Sequence, residues 1–228
     1  MFFTLALTTV FDVALMAYRL FKMGAFHHGM PNLENLYLFR GHSFLFLAWN
    51  LLLAWIPYLL AILLERKAQQ GIRLLWLLPI LFGWLLFFPN APYIVTDLLH
   101  LQHRPPLPLW YDLLLLFSCA WTGLMLGFLS MLKVHQVLDT RLGPGLSWAV
   151  VVASISLTGF GVYLGRFLRW NSWDLFTQPL AIIRDILMVI SQPLAHLQTF
   201  GLAIVLTAML LLGYFTLIVI SHSTRWKE

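Results

Sequence analysis

Six apolar stretches, each close to the length of a membrane crossing, dominate this chain and restrict what it can fold into. They cover residues 2–20, 43–64, 74–96, 109–132, 146–168 and 199–220. A hydrocarbon layer about 30 Å thick takes roughly 20 residues of helix. None of the stretches alternates polar with apolar residues, as the strands of a lipid-facing barrel do. Each is therefore expected to be a helix, which satisfies its own backbone hydrogen bonds inside lipid. Charge content agrees. Only 10% of the 228 residues are charged, against about 25% in soluble domains. The expected fold is all-α: an integral membrane helical bundle, one transmembrane domain over residues 1–228, with about six transmembrane helices.

The opening "MFFTLALTTVFDVALMAYRLFK" has no positive start, Asp12 interrupts its apolar run, and no small-x-small cleavage site follows. It is expected to be a retained first span rather than a signal peptide. The formal charge of +5 fits loops that meet anionic headgroups, so membrane lipids are the expected partners. Nucleic acid is excluded, because the densest basic segment is only Arg66-Lys67 with Arg73 nearby. Protein partners are unreadable. Cys119 is the single cysteine, which rules out a disulfide framework and a cysteine zinc motif. "GFGVYLG" (159–165) has one residue too many for a dinucleotide loop and lies inside an apolar run. Its glycines, like Gly123 and Gly127, suit close helix packing instead, and no cofactor is expected.

The third stretch carries the most unusual local pattern, "FFPNAPYIVTDLLHLQHRPP" (87–106). Pro89 and Pro92 each remove a backbone donor and clash with the preceding turn, and a residue before proline avoids helical geometry. A proline-broken third helix is expected, resuming near Tyr93 and stopping before Pro105. Carbonyls freed at such a break need protein or water as partners. Farther on, residues 173–190 mix Trp, Phe and Ile with Arg184 and Asp185, with Asn171 or Ser172 as a candidate cap. This segment reads as an interfacial helix, with a seventh crossing as the alternative.

Six crossings would place His27, His28, Arg40, His42, Asp97, His100, His103, Arg166, Arg169, Asn171 and Asp174 towards one membrane face. Lys and Arg split seven to seven between the two faces, so the positive-inside rule does not orient the chain. Both termini are expected on the cytoplasmic side, because several charges on the other face look recruited to a site. Asp97 and His100, three apart, share a helical face and are the candidate catalytic or proton-handling pair. A metal held by His27, His28, His42, His100 or His103 is a weaker option, since no zinc signature is present. Arg166 and Arg169 suit bidentate recognition of phosphate or carboxylate, with Asn171, Asp174, Asn90 and Arg40 as further ligand-binding candidates. The plainer alternatives are arginines that snorkel to the interface or pair with Asp97 or Asp174. Asn50 reads as interhelical hydrogen-bond glue, Asp112 as a helix-dipole residue, and Asp12 as a proton site or part of a shallow helix.

The segments "WNLLLAWIPY" (49–58), "FFPNAPYIVTDLLHL" (87–101), "WYDLLLLFSCAWTGLMLGFLS" (110–130) and "GVYLGRFLRWNSWD" (161–174) together resemble the bacterial membrane family known as domain of unknown function 1361. The resemblance spans about residues 35–220. It implies a polytopic protein of the bacterial inner membrane, and it carries no assigned catalytic residues. Three functions stay open: binding or transport of an anionic small molecule or lipid headgroup, a membrane enzyme acting on a lipid-linked substrate, and a structural or assembly subunit. Replacing Pro89 and Pro92 together by Ala is expected to straighten the third span, read as a longer, narrowly distributed distance between spin labels at residues 80 and 99. An unchanged distance would place the bend's cause elsewhere.

Overall fold

The computed structural model describes residues 1–23, 26–27, 30–31, 44–191 and 197–225. Its elements are α1 (Phe2–Lys22), a two-stranded pairing of β1 (Phe26–His27) with β2 (Met30–Pro31), α2 (Leu45–Gln69), α3 (Leu74–Phe87), α4 (Asn90–Tyr93), a 3₁₀ helix (Ile94–His100), α5 (Leu109–Leu142), α6 (Pro144–Phe167), α7 (Asp174–Thr177), α8 (Pro179–Ser191) and α9 (Leu197–Arg225). Among the described residues six helical stretches are long and apolar enough to cross a membrane: Phe2–Lys22, Leu45–Gln69, Leu74–His100, Leu109–Leu142, Pro144–Phe167 and Phe200–Ser221. Leu7, Val10 and Phe11 on α1 and Leu212 and Phe215 on α9 are exposed, while Asp12, Arg19, Asp112 and Thr158 are buried. A protein dissolved in water keeps its ionisable groups outside. The inverted arrangement is that of a multi-pass membrane protein.

Proline placement explains where helices continue and where they stop. Pro57 lies inside α2 and Pro79 inside α3, and neither helix ends there. A single proline deletes one hydrogen bond, which a long packed helix tolerates. Pro89 and Pro92 fall within four residues, and there α3 ends at Phe87, a turn follows, and the chain resumes as one α-helical turn and a 3₁₀ helix. The expected break is present, with one difference. Phe88, just before Pro89, keeps right-handed helical angles (φ −56°, ψ −39°) and its N–H still donates to the Trp84 carbonyl at 2.8 Å. The interruption therefore comes from the missing donors and not from an extended residue ahead of the proline.

The chain divides into two compact units, Met1–Tyr58 with Asn90–Gly127, and Leu59–Pro89 with Phe128–Glu228. In the first, Leu47, Leu51, Ala54, Ala91, Ile94 and Leu115 form the apolar core. The indole of Trp55 donates to Thr9 Oγ1 at 3.0 Å, tying α2 to α1. Gly123 on α5 lets the broken segment approach: a Cβ there would sit 2.6 Å from the Ala91 carbonyl oxygen and 3.0 Å from Ile94 Cδ1. In the second unit, a Cβ at Gly159 on α6 would sit 2.6 Å from the Ala203 carbonyl oxygen on α9, and one at Gly161 would sit 3.2 Å from Pro89 Cγ. The small residues serve close packing, as their spacing implied. Trp84 Nε1 donates to Ser130 Oγ at 3.2 Å, and His135 Nδ1 lies 2.9 Å from the Tyr214 hydroxyl.

α8 has 13 residues, with Leu180, Ile183, Leu187 and Met188 exposed and Ile182 and Val189 buried. Its length of about 20 Å is shorter than a crossing, and it is not among the six candidate spans of the described residues. Neither Asn171 nor Ser172 is the N-cap of α7; that position is Trp173, without a side-chain capping bond.

Gly159→Val is expected to lower stability by about 1–3 kcal/mol, because the α9 backbone must move. Gly145→Ala, where a Cβ meets nothing within 4 Å, is expected to leave the melting temperature in detergent unchanged or slightly raised. Equal melting temperatures for the two variants would refute close packing at Gly159.

Candidate functional site

The first unit holds a polar seam along α1 and α5. Ser118 donates a short hydrogen bond to Asp12 Oδ1, the Tyr111 hydroxyl donates to the Leu15 carbonyl at 2.7 Å, and the Arg19 guanidinium forms a buried ion pair with Asp112. From Asp12 with Ser118 to Arg19 with Asp112 the numbers rise on α1 and fall on α5, as they must for antiparallel helices, and the Tyr111 side chain reaches the Leu15 carbonyl between them. Seven residues of α1 rise about 10.5 Å and six of α5 about 9 Å, so the first and last contacts stay in register. Arg19 and Asp112 are fully buried. Burying one charge alone costs several kcal/mol; a buried partner offsets most of that cost.

Phe44 completes this end of the seam. The Arg19 guanidinium lies 4.7 Å and that of Arg104 5.0 Å from its ring centre, and Arg19 Nη2 donates to the Arg104 carbonyl at 3.4 Å. Cations over a ring face are attracted by its quadrupole. Phe44 is itself fully buried with φ 52°, a left-handed conformation costly for a bulky residue. The packing of two arginines against its ring holds it there.

Asp97 is the second polar centre of the unit. It is fully buried, accepts a hydrogen bond from Asn50 Nδ2 at 2.7 Å, and lies 3.8 Å from His100 Nδ1. Residues 94–100 form a 3₁₀ helix, with three residues per turn, so Asp97 and His100 eclipse. The helix ends at His100, with Leu101 extended. His103 and Arg104 therefore lie beyond it. The link from Asn50 to Asp97 is the interhelical bond that its position in an apolar run implied.

Arg166, Arg169, Asn171 and Asp174 belong to the second unit. Arg166 lies in the last turn of α6 and is half-buried; Arg169 follows the helix, is exposed, and has φ 61°. The Asp174 carboxylate accepts from the Asn171 backbone N–H at 2.7 Å, from Asn171 Nδ2 at 3.2 Å and from Thr177 Oγ1 at 3.3 Å. Trp170 Nε1 donates to Asp185 at 3.0 Å. No ion pair joins Arg169 to Asp174 or Asp185 among the described residues.

Asn90 opens α4 and is half-buried. His28, Arg40 and His42 lie outside the described residues, and His27 is described only in its strand backbone. His103 is exposed. Among the described residues no three His, Cys, Asp or Glu side chains are grouped to hold a metal. Two assignments made from sequence change. Arg19, counted as a loop charge, is buried inside the bundle, and Asp112 is its ion partner rather than only a dipole residue. The available signal was an arginine and an aspartate each within one turn of the end of an apolar run.

Arg19→Met alone and Asp112→Leu alone are each expected to cost about 3–5 kcal/mol, because each leaves a buried charge without its partner. The double variant is expected to recover most of that loss. Additive losses in chemical unfolding would show that the two side chains are not coupled.

No curated protein and no solved structure matches this chain. A family model does match it, over residues 49–213, described as "Protein of unknown function (DUF1361)". That match includes α3 to α8 and most of α2 and α9, and with them Asn50, Asp97, His100, Asp112, Arg166 and Arg169. The chain belongs to the DUF1361 family of proteins of unknown function.

Proposed function

We propose that this multi-pass protein binds an anionic group at one face of a bacterial inner membrane, with both termini cytoplasmic and with Arg166 and Arg169 as the groups that hold the anion. The observation that carries this reading is the state of Arg169. It is exposed on a left-handed backbone position, while Asp174 and Asp185, the nearby acids in sequence, bond to Asn171, Thr177 and Trp170 instead. A guanidinium presented in this way is suited to bidentate contact with phosphate or carboxylate. Arg166 lies three residues earlier, at the α6 terminus, where a cation also suits the helix dipole.

The ligand class is a phosphate or carboxylate, carried by a lipid headgroup or by a small solute. Transport is the natural extension, since broken helices accompany binding sites in transporters, and α3 is broken at Pro89 and Pro92. In this reading Asp97 and His100 handle protons, and the arginines hold charge. α8, short and with one exposed apolar face, lies along the interface.

Purified protein in nanodiscs is expected to retain phosphatidylglycerol over phosphatidylcholine if the ligand is a headgroup, or to bind inorganic phosphate saturably if it is a solute. Arg169→Ala is expected to weaken the binding at least tenfold, about 1.4 kcal/mol, with the melting temperature unchanged. Arg169→Lys is expected to fall between, because a point charge does not replace a fork. Unaltered binding in Arg169→Ala, or loss of folded protein, would overturn the assignment.

A further inference from the structure

We propose that the second unit binds a primary ammonium group in a cavity between His135, Asp139 and Trp148, at the end of α6 opposite Arg166 and Arg169. The inference goes beyond the anion reading and does not depend on it. The cavity, of about 400 Å³, lies towards the ends of α5 and α9 and at the start of α6, with His135, Gln136, Asp139, Trp148, Ile218 and Ser221 in its lining. Pockets that hold small ligands join apolar walls to a few converging polar groups, and this volume falls within their usual range. α6 has 24 residues, about 36 Å of helix, which separate the cavity from the two arginines.

The polar lining specifies the sign of the ligand. His135 is only 9% exposed; its Nδ1 lies 2.9 Å from the Tyr214 hydroxyl, and Nε2 has no hydrogen-bond partner among the described residues. Asp139, four residues on, stands beside it on the same helical face. Asp139 Oδ1 accepts from Ser147 Oγ at 3.2 Å, and Oδ2 has no hydrogen-bond partner among the described residues. No Lys or Arg lines the cavity among the described residues. Pro144 opens α6 without an N–H, so this helix start is short of a donor for an anion, and the Asp139 carboxylate repels one. Among the described residues no three His, Cys, Asp or Glu side chains are grouped for a metal. An organic cation is the class that remains.

The acceptors present favour a primary ammonium over a quaternary one. An –NH₃⁺ group brings three donors and no acceptor. Asp139 Oδ2, the Gln136 side-chain oxygen and His135 Nε2 offer it three acceptors, with the imidazole in the tautomer whose Nδ1–H donates to Tyr214. Trp148, its ring centre 4.7 Å from that of His135, adds an aromatic face that attracts a cation. Ile218 supplies an apolar wall for the carbon that bears the nitrogen. A trimethylammonium group has no N–H and leaves all three acceptors unpaired, which costs affinity.

The ammonium belongs to an ethanolamine lipid headgroup or to a small free amine, and two probes separate these sources. From nanodiscs of equal phosphatidylethanolamine and phosphatidylcholine, native mass spectrometry is expected to show the first retained about tenfold over the second if the ligand is a headgroup. Both lipids carry the same phosphate, so an anion site at the arginines does not produce that difference. In phosphatidylcholine nanodiscs, labelled ethanolamine is expected to bind saturably, and choline about tenfold more weakly, if the ligand is a solute. Asp139→Asn keeps an acceptor for Ser147 and is expected to weaken the observed binding about tenfold with the melting temperature unchanged. No preference for the primary amine with either probe, or unaltered binding in Asp139→Asn, would overturn the proposal. Should Asp139→Asn not fold, unaltered binding in Gln136→Leu, at an exposed position, overturns it equally.

Discussion

A polar side chain in the interior of a membrane bundle cannot fall back on water, and the first unit is organised around that constraint. Arg19 and Asp112 have no exposed surface, and each is tolerated because the other is there. Their contact also sets how α1 meets α5. A helix turned by one residue rotates its side chains by about 100°, which would take Asp12 from Ser118 and Leu15 from Tyr111 together with the ion pair. The seam thus specifies register and rotation, which apolar surfaces in lipid specify poorly because lipid tails are as apolar as leucine. The left-handed backbone at Phe44 is a local cost accepted within this arrangement, its ring lying against two guanidiniums.

The broken third span shows a second response to the same constraint. Prolines remove donors, and the carbonyls they free must be covered by protein. The structure brings Gly123 against Ala91 and Ile94 in one unit and Gly161 against Pro89 in the other, so the interrupted backbone is met by surfaces without side chains. The 3₁₀ geometry that follows aligns Asp97 with His100 and directs Asp97 towards Asn50. Pro57 and Pro79 lie in helices that continue, which shows that the interruption belongs to the closely spaced pair and its glycine counterparts.

The elements themselves were legible in the amino-acid order. Hydrophobic length located all six candidate spans and proline spacing located the interruption, because both are local properties. The polar residues were legible one at a time and not as pairs. Asp97 with His100 could be read, being three apart, whereas Arg19 with Asp112 spans 93 positions and depends on how two helices dock. A charge next to the end of an apolar run resembles a loop charge until a partner helix draws it inward. Arg166 and Arg169 lie where the sequence put them, at the end of α6, and the left-handed angle at Arg169 had no local signature such as glycine or asparagine.

α5 is 34 residues long, about 51 Å of helix, whereas the hydrocarbon it crosses is about 30 Å deep. Such a rod must lean or stand proud of the lipid. Near its far end Lys133 clasps Glu65 at 2.5 Å and Arg141 donates to the Ala68 carbonyl at 2.7 Å, so the overhanging part is fastened to the end of α2. Sinking this clasp into a thicker bilayer would dehydrate two ions, while a thinner one leaves more of the shaft wet. Bilayer thickness is thereby a mechanical load that falls on this helix more than on its shorter neighbours.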